Sequence, residues 1–246
     1  LKRNTKIVTH IVHTVSDKTK KNKIACDLIK NSHVIVGNSP FVSKTITKTF
    51  KIPSKYVYNG IDKDYFFPKS RDEKLIYDVL YVGSLQNRKR PEIVVKIAEK
   101  LKHLNFAIVG DGPLKNDLLE YLKIKQISNV HFKGHLPQKK VGEIMRFSKI
   151  FVFPSINEGH PQSVGQAIAC GLPVIAMEKL KLDYVINNEN GYLIKNDKEI
   201  LQKIKILIKD KRLRERMSKA SIKRSNNFDW DIAVSEWEKI IREAVN

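Results

Sequence analysis

The chain has 246 residues, 41% of them hydrophobic and 29% charged, a composition typical of a folded protein and unlike that of an intrinsically disordered one. No apolar run approaches the roughly 18 to 20 residues of a membrane-spanning helix, and no secretion leader opens the chain, so we expect a cytoplasmic protein. Its two cysteines, Cys26 and Cys170, are far apart and support neither a disulfide framework nor a zinc site.

The net charge of +20 comes from 46 Lys and Arg residues against 26 Asp and Glu. Such an excess is typical of proteins that bind nucleic acid, an anionic membrane surface or a phosphorylated small molecule. A lysine-rich composition with solvated side chains explains it equally well. The charges are spread along the chain, with local runs at residues 18–23 and 203–224. Because no zinc-finger spacing, helix-turn-helix pattern or RNA-binding aromatic pair accompanies them, we expect no nucleic-acid partner.

Short apolar runs rich in β-branched residues recur along the chain and predict buried strands at residues 6–12, 33–36, 78–83, 106–110, 150–153 and 173–176. Segments with helical periodicity lie between the later runs, for example residues 91–104, where Pro91 suits the first helical turn. This alternation predicts an α/β fold with a parallel sheet. Such sheets bind ligands at the carboxyl ends of their strands, in the loops that lead into the helices.

The segment 58–74 interrupts this alternation with turn residues, aromatic residues and charges, which predicts a connector between two α/β units. We therefore expect residues 1–62 to be the end of an incomplete N-terminal domain and residues 63–228 to be a second domain. The chain begins at Leu1 rather than Met, which we interpret as a sign of a longer parent polypeptide. Residues 229–246 are predicted to form a helix with an apolar side made of Trp230, Val234, Trp237 and Ile241.

Two of the predicted strand-to-helix loops have the composition of a phosphate site. In the first, Gly83 ends a strand and the basic residues 88–90 precede a helix, whose N-terminus favours anions. This arrangement suits a pyrophosphate, although basic residues on a solvated loop would look the same. In the second, Gly110 and Gly112 leave the backbone open to a ligand, although two glycines at a strand end are often only a turn.

A third loop opens the stretch EGHPQSVGQAIACGLPV, which begins at Glu158. Ser163 is predicted to be the N-cap of a helix that runs to Gly171. The backbone N–H groups at that helix end would bind an anionic leaving group, while Glu158 and His160 would bond to sugar hydroxyls. A carboxylate at the tip of a loop is not expected to have a structural role in the buried core. The alternative for Gln166 is structural, because Ser163 and Gln166 also fit a capping box.

Eight short motifs follow one another between residue 59 and residue 230: NGID with F-x-P (59–68), VG-x-L-x-x-x-K (82–89), VGDGP (109–113), V-x-F-x-G (130–134), PS-x-x-EG (154–159), ACG-x-PVIA (169–176), NG-x-L (190–193) and F-x-W (228–230). In this order they resemble the nucleotide-sugar-binding half of a family 4 retaining glycosyltransferase with the GT-B fold. Residues 31–46 resemble the last strand-helix unit of that family's acceptor domain. The resemblance implies a Rossmann-like parallel sheet flanked by helices, with a partial second Rossmann-like domain.

The resemblance also implies roles for individual residues. Lys89 is similar to the family lysine that meets the donor diphosphate, and Glu158 is similar to the first glutamate of the E-x7-E motif, near the transferred sugar. The turn that meets sugar and phosphate through its backbone corresponds to His160, Pro161, Gln162, Ser163 and Val164. The loops that line the donor contain Gly83, Gly110, Gly112 and Gly134.

Two positions depart from the family pattern. Ser84 stands where the family usually has an arginine, and Arg88 is the candidate substitute. Gln166 stands where the second glutamate belongs, so it can bond to a ribose hydroxyl but carries no charge. Residues 9–14 resemble the histidine-bearing strand end that faces the donor. His10 and His13 compete for that role, a buried structural histidine being the alternative for either, and we take His13 as the candidate catalytic residue.

The function implied is transfer of a hexose from a nucleotide diphosphate sugar to a glycan or lipid-linked acceptor, with retention at the anomeric carbon. We expect no cofactor and no metal, because Lys89, Arg88 and a helix N-terminus would stabilise the departing diphosphate. The excess of lysine favours peripheral contact with an anionic membrane at its inner face. The alternatives are a GT-B nucleotide-sugar 2-epimerase, a non-catalytic sugar-nucleotide-binding subunit and a basic nucleic-acid binder. The E-x7-E-like loop followed by ACG-x-PV favours the transferase.

Overall fold

The computed structural model describes residues 6–13, 15, 17–70 and 74–245. Leu1, Thr14 and residues 71–73, which belong to segments interpreted above, lie outside this description. The strands, in chain order, are β1 Val8–Ile11, β2 Val34–Gly37, β3 Lys55–Tyr56, β4 Tyr77–Val82, β5 Phe106–Val109, β6 Val130–Gly134, β7 Ser148–Phe153, β8 Val174–Met177 and β9 Gly191–Ile194.

The helices, in chain order, are α1 Asp17–Lys21, α2 Lys23–Lys30, α3 Pro40–Phe50, α4 Pro91–Lys100, α5 Lys115–Ile124, α6 Gln138–Arg146, α7 Gln162–Ala169, α8 Asp197–Lys209, α9 Lys211–Ser225 and α10 Trp230–Val245. Pro91 occupies the first turn of α4, as predicted, because a proline there gives up no hydrogen bond that the helix uses. Within the described residues, none of these helices has the length and apolar character needed to cross a bilayer.

The described strands form two parallel sheets. The smaller sheet has the order β1-β2-β3, and the larger has the order β6-β5-β4-β7-β8-β9. Every pair of neighbouring strands runs parallel, so the chain must cross back between consecutive strands. Within each sheet α-helices make these connections, except between β8 and β9, where the only helical element described is a 3-10 turn at Glu178–Leu180. The predicted α/β class, with parallel sheets flanked by helices, is confirmed.

The strands that the apolar runs did not predict are β3, β6 and β9. Each of them lies at the edge of its sheet. An edge strand has a neighbour on one side only, so its residues need not form a continuous apolar run. In β6, for example, His131 and Lys133 are exposed and alternate with half-buried residues. The search for continuous apolar runs therefore found the central strands and one edge strand, β1, and missed the other three edges.

The main core lies on both faces of the larger sheet. Leu80, Ile108 and Phe151, from three adjacent strands, are fully buried in it. Ile61 and Phe66, from the segment predicted to be a connector, belong to the same apolar cluster. The connector therefore packs against the larger sheet. The division at residue 62 stays a prediction.

Helix α10 packs against the smaller sheet. Its residues Ala233 and Ile240 form one buried cluster with Val36 of β2 and Val57, and Trp237 packs on the edge of that cluster. The apolar side predicted for this helix is therefore wrong in three of its four members, because the residues left half-exposed are Trp230, Val234 and Ile241. Apolar residues surround so much of the helix that periodicity alone does not select the buried side.

Gly60 lies directly against the start of α10. A Cβ atom at this position would overlap the ring of Trp230. We expect Gly60→Ala to lower the free energy of unfolding by about 1–3 kcal/mol, because close-packed atoms must move apart. Urea denaturation measures this change.

Trp230→Ala and the double variant are the controls, because removing the ring removes the overlap. Gly60→Ala should have little further effect in the Trp230→Ala background. An equal loss of stability in both backgrounds would contradict the steric explanation.

Candidate functional site

The loops after β4, β5 and β6 lie side by side at the carboxyl edge of the larger sheet. The N–H of Gly83 donates to the carbonyl of Val109 at 3.0 Å, and the N–H of Gly110 donates to the carbonyl of Gly134 at 2.8 Å. The structure thus brings together three of the loops that the sequence analysis selected. Their backbones form one continuous surface at the edge where parallel sheets bind ligands.

Two glycines in these loops are required by packing between the loops. Gly110 has a φ of +141°, and a Cβ atom there would overlap the carbonyl oxygen of Gly83. A Cβ at Gly112 would lie 2.7 Å from the carbonyl oxygen of Leu85. The space beside these two glycines, which the sequence analysis left open to a ligand, is therefore filled by the backbone of the loop after β4. Contact between these glycines and a donor stays a prediction.

Tyr81, in β4, is hydrogen-bonded to the loop that follows that strand. Its fully buried side chain donates from the hydroxyl to the carbonyl of Ser84 at 3.0 Å. Burial, and then the negative charge of Glu158, raise the pKa of Tyr81, so the phenol stays a neutral donor. This bond holds the backbone of Ser84 in place.

Glu158 is the centre of the site. Its side chain is only 8% exposed, and its Oε1 accepts from Lys89 Nζ at 2.7 Å, Arg88 Nη1 at 3.0 Å and Ser155 Oγ at 2.7 Å. The expectation that this carboxylate has no buried environment to serve is therefore wrong. One carboxylate balances only one of the two cations, so the cluster keeps an excess positive charge suited to an anion.

The side chains of Arg88 and Lys89 differ in how exposed they are to solvent. The Lys89 side chain is 13% exposed, and its Nζ lies 5.2 Å from the ring centre of Phe153. The Arg88 side chain is 42% exposed and also donates to the carbonyl of Asn157 at 3.3 Å. The N–H of Ile156 donates to the carbonyl of Arg88 at 3.1 Å, which ties the two loops together. Lys89 is therefore a fixed cation, whereas Arg88 has room to turn toward a ligand.

Helix α7 begins earlier than predicted. Its N-cap is Pro161, with φ −70° and ψ 110°, and Ser163 is the second helical residue. The predicted N-cap role of Ser163 is therefore wrong, because the N–H of Val164 already bonds to the carbonyl of Pro161. The predicted end of the helix is confirmed, since Gly171 follows the C-cap with a φ of +77°. The first two N–H groups of the helix, those of Gln162 and Ser163, have no acceptor within it.

Gln166 is not the helix cap. Its Nε2 donates to Oε1 of Gln138 at 2.9 Å, and Gln138 is the first residue of α6. The capping-box alternative fails because Ser163 does not occupy the N-cap position. Gln138 was missed in the sequence because nothing in its local pattern connects it with a residue of another helix. Gln138 directly follows the short loop that connects the end of β6, at Gly134, to α6.

The side chains of His160 and Gln162 pack against other parts of the chain. The His160 side chain is buried, 6% exposed, with ring centres of Tyr58, Tyr184 and Phe228 at 5.3, 4.9 and 5.6 Å. Neither of its ring nitrogens has a hydrogen-bond partner within the described part of the chain. Gln162 Nε2 donates to the carbonyl of Gly60 at 2.9 Å. A bond from His160 to a sugar would require its ring to leave the aromatic cluster.

The smaller-sheet side of the chain contacts the loop that carries Glu158, at Gly159. A Cβ at Gly159 would lie 2.5 Å from the carbonyl oxygen of Val12, the residue before His13. Both histidines are exposed at the surface, and His10 packs one side of its ring edge-on against Trp237, with ring centres 5.0 Å apart. Burial lowers the pKa of His10. Of the two histidines that competed in the sequence, His13 is therefore the one beside the loop.

Asn38 and Ser39 are site neighbours that the sequence analysis did not select. Asn38 Nδ2 donates to the carbonyl of Val12 at 2.9 Å, and Ser39 Oγ lies 3.5 Å from the carbonyl of Gly159. Ser39 also caps α3, accepting from the N–H of Val42 at 3.2 Å. Their position after a predicted strand, at the carboxyl edge of a parallel sheet, was the signal that would have found them.

The aromatic cluster makes His160 a source of pH dependence. Burial lowers the pKa of His160 to about 4, so between pH 6.5 and pH 4 the unfolded chain binds a proton that the native chain lacks. The free energy of unfolding must therefore fall as the pH falls through this window. His160→Phe keeps an aromatic ring and removes the titrating group. From pH 7.5 to pH 5 we expect wild type to lose about 2 kcal/mol more than this variant, measured by urea denaturation.

The same variant tests the predicted sugar contact of His160. A phenyl ring cannot donate to a hydroxyl, so unchanged donor affinity in His160→Phe would contradict that contact. Equal loss of stability in wild type and variant on acidification would contradict the buried neutral histidine.

Comparisons with known proteins agree with this architecture. An uncharacterized glycosyltransferase of Methanocaldococcus jannaschii is 26% identical over 217 residues, which cover 87% of this chain and 60% of that protein. The N,N'-diacetylbacillosaminyl-diphospho-undecaprenol alpha-1,3-N-acetylgalactosaminyltransferase of Campylobacter jejuni is 28% identical over 203 residues, covering 74% of this chain and 52% of that enzyme. The chain therefore spans no more than 60% of the length of these curated relatives.

Solved structures match almost the whole chain. The crystal structure of Anabaena HepE in complex with UDP and glucose matches 96% of this chain and 71% of that protein, with a TM-score of 0.83 and 17% identity. The pneumococcal O-GlcNAc transferase GtfA, in complex with UDP and GlcNAc, matches 98% of this chain and 53% of that protein, with a TM-score of 0.81 and 19% identity. At these identities the likeness shows the fold, which is that of GT-B glycosyltransferases.

The family model described as glycosyl transferases group 1 matches residues 62–224. This range includes the larger sheet, the three adjoining loops and the cluster around Glu158. Because the match covers more than half of the chain, the protein belongs to the glycosyl transferases group 1 family.

Proposed function

We propose that this chain is the donor-binding part of a retaining glycosyltransferase of family 4, which transfers a hexose from a nucleotide diphosphate sugar to a glycan or lipid-linked acceptor. The observation that carries the proposal is the cluster in which Lys89 and Arg88 meet Glu158 at the carboxyl edge of the larger sheet. A pair of cations held beside a carboxylate suits a ligand that has both phosphate oxygens and sugar hydroxyls.

Charge stabilisation is the chemical role of the two cations. When the bond from the anomeric carbon to the diphosphate breaks, its electron pair stays on the departing phosphate oxygen. Lys89 and Arg88 stabilise that developing charge, together with the N–H groups at the start of α7. Glu158, which the diphosphate would displace from part of its cation contacts, is then available to accept from a sugar hydroxyl. No cofactor enters this scheme.

The donor and acceptor classes are supported by the named relatives. The Anabaena structure contains UDP and glucose, which supports a uridine diphosphate sugar as donor. The name of the Campylobacter enzyme contains a diphospho-undecaprenol, which supports a lipid-linked acceptor. In this scheme, His13 at the end of β1 faces the reacting sugar from the smaller sheet. The exposed lysines favour peripheral contact with an anionic membrane.

The test begins with donor binding by the natural-length protein, measured by titration calorimetry with a panel of nucleotide diphosphate sugars. Lys89→Ala should weaken the affinity by about tenfold or more, because a charge-assisted bond to a phosphate is lost. Lys100→Ala is the matched control, since it removes the same charge from the exposed far end of α4. Equal affinity in both variants would contradict the anion site.

The products of a transfer assay separate the candidate functions. Sugar attached to an acceptor with retained configuration supports the proposal. Isomerised donor formed without an acceptor would support the 2-epimerase instead. Tight donor binding with neither product would support a non-catalytic subunit.

Gln166 provides a further test of the donor site. If its side chain bonds to a ribose hydroxyl, Gln166→Glu should keep or improve nucleotide affinity, because a carboxylate accepts more strongly and Gln138 can turn its amide to donate. Titration of both forms with the same nucleotide measures the effect. Gln138→Ala is the companion variant, which should weaken binding by loosening Gln166. A loss of affinity in Gln166→Glu, or an unchanged affinity in Gln138→Ala, would contradict the ribose contact.

A further inference from the structure

A cavity of about 710 Å³ lies at the amino edge of the larger sheet. Its wall includes Ser148 and Lys149 at the start of β7, the turn 171–173 that leads into β8, and residues of α9 between 211 and 222. Glu158 follows the other end of β7, a six-residue strand that is about 20 Å long. The cavity, called here the amino-edge cavity, is therefore separate from the candidate donor site.

Cationic side chains dominate the wall of the amino-edge cavity. Glu215 is the one acidic residue among the lining residues that the structure describes. Six of these lining residues are basic, namely Lys69, Arg146, Lys149, Lys211, Arg214 and Lys219. A concave surface with charges of one sign concentrates ions of the opposite sign. The described wall is therefore suited to an anion.

Arg214 and Lys149 are fixed in this wall. Arg214 donates to the carbonyl of Ile208, near the end of α8, at 2.8 Å, and Lys149 Nζ donates to Oδ1 of the buried Asp78 at 2.6 Å. Burial lowers the pKa of Arg214, because its charge is partly removed from water. An anion beside the guanidinium would compensate for part of that lost solvation.

The ends of neighbouring helices explain only some of these cations. Basic residues stabilise helix C-termini, and Arg214 at the end of α8 and Arg146 at the end of α6 fit that role. Lys211 does not, because it is the first residue of α9, where the helix already carries partial positive charge. Asp210 caps this helix, but its first turn has no acidic residue. Helix stability therefore does not account for Lys211.

We propose that the amino-edge cavity binds a small soluble anion with two or more phosphate groups. Arg214 makes its two described hydrogen bonds through Nη1, so its Nε and Nη2 can donate to phosphate oxygens in the planar geometry that such groups favour. Lys211 and Lys219, on the same side of α9, would meet a second phosphate. The site does not depend on the proposed function, since it lies at the opposite edge of the sheet.

The shape and composition of the wall favour a small ligand over a bilayer or a nucleic acid. The volume lies within the range of roughly 300–1,000 Å³ that is typical of small-molecule sites. None of the described lining residues is a large apolar residue with an exposed side chain, whereas a helix that lies on a bilayer inserts such side chains. Duplex nucleic acid spreads its phosphates along a rod and would reach only the rim.

Titration calorimetry of the natural-length protein with inorganic tripolyphosphate, in the presence of excess UDP, tests the proposal. UDP competes for the candidate donor site, so the heat of tripolyphosphate binding reports the amino-edge cavity. We expect saturable binding to one site. The double variant Lys211→Gln, Lys219→Gln should weaken this binding by about tenfold or more, because two charge-assisted contacts with phosphate are lost.

The matched control is the double variant Lys123→Gln, Lys125→Gln, which removes the same charge from exposed sites at the end of α5. It should keep wild-type affinity, and both double variants should keep the wild-type circular dichroism and melting temperature. Absence of saturable binding in wild type, or equal weakening in both double variants, would overturn the proposal. Tighter binding of a duplex oligonucleotide than of tripolyphosphate, lost in the α9 variant, would replace the small anion with nucleic acid.

Lys89→Ala separates this proposal from the proposed function. In this variant, titrated without UDP, the amino-edge cavity should bind tripolyphosphate as it does in wild type. A protein that binds tripolyphosphate there and binds no nucleotide sugar would keep the cavity site and lose the proposed donor site. Loss of all tripolyphosphate binding in Lys89→Ala would show that the cluster around Glu158 is the anion site and would overturn the proposal.

Discussion

The buried carboxylate of Glu158 holds together the candidate site at the carboxyl edge of the larger sheet. A carboxylate removed from water is stable only when cations and hydrogen-bond donors surround it, and here Lys89, Arg88 and Ser155 do so. Two of these partners precede α4 and one follows β7, so satisfying one charge also fixes the distance between two loops. The same requirement holds two cations side by side at the edge where the sheet binds ligands.

The residue after that carboxylate decides where the smaller sheet lies. Gly159 approaches the carbonyl of Val12 and the side chain of Asn38 so closely that a Cβ atom would not fit. His13 follows Val12 directly, so this contact also sets the distance from that histidine to the donor loop. The smaller sheet and the Glu158 loop are therefore joined at a backbone contact next to the charged cluster. A shift of either sheet would move the backbone beside Glu158.

The positions of the charged residues indicate a ligand class, whereas the net charge alone does not. A net charge of +20 is compatible with nucleic acid, membrane or a phosphorylated ligand, and the total does not choose among them. Two of the cations, Lys89 and Arg88, are instead held at one place by a buried carboxylate, an arrangement suited to a phosphorylated ligand.

The sequence by itself determined the central strands, the α/β class and the loops that carry Lys89 and Glu158, because a continuous apolar run is buried in almost any context. It found the edge strand β1 but missed β3, β6 and β9, the other three edges, because an edge strand does not require a continuous apolar run. Only the tertiary structure decided which side chains pair. His160 joined an aromatic cluster and Gln166 bonded to Gln138, while Val12, the neighbour of His13, contacts the loop that carries Glu158. These outcomes depend on which segments meet across the fold, and the spacing of residues along a chain does not contain the distances between segments that lie far apart in it.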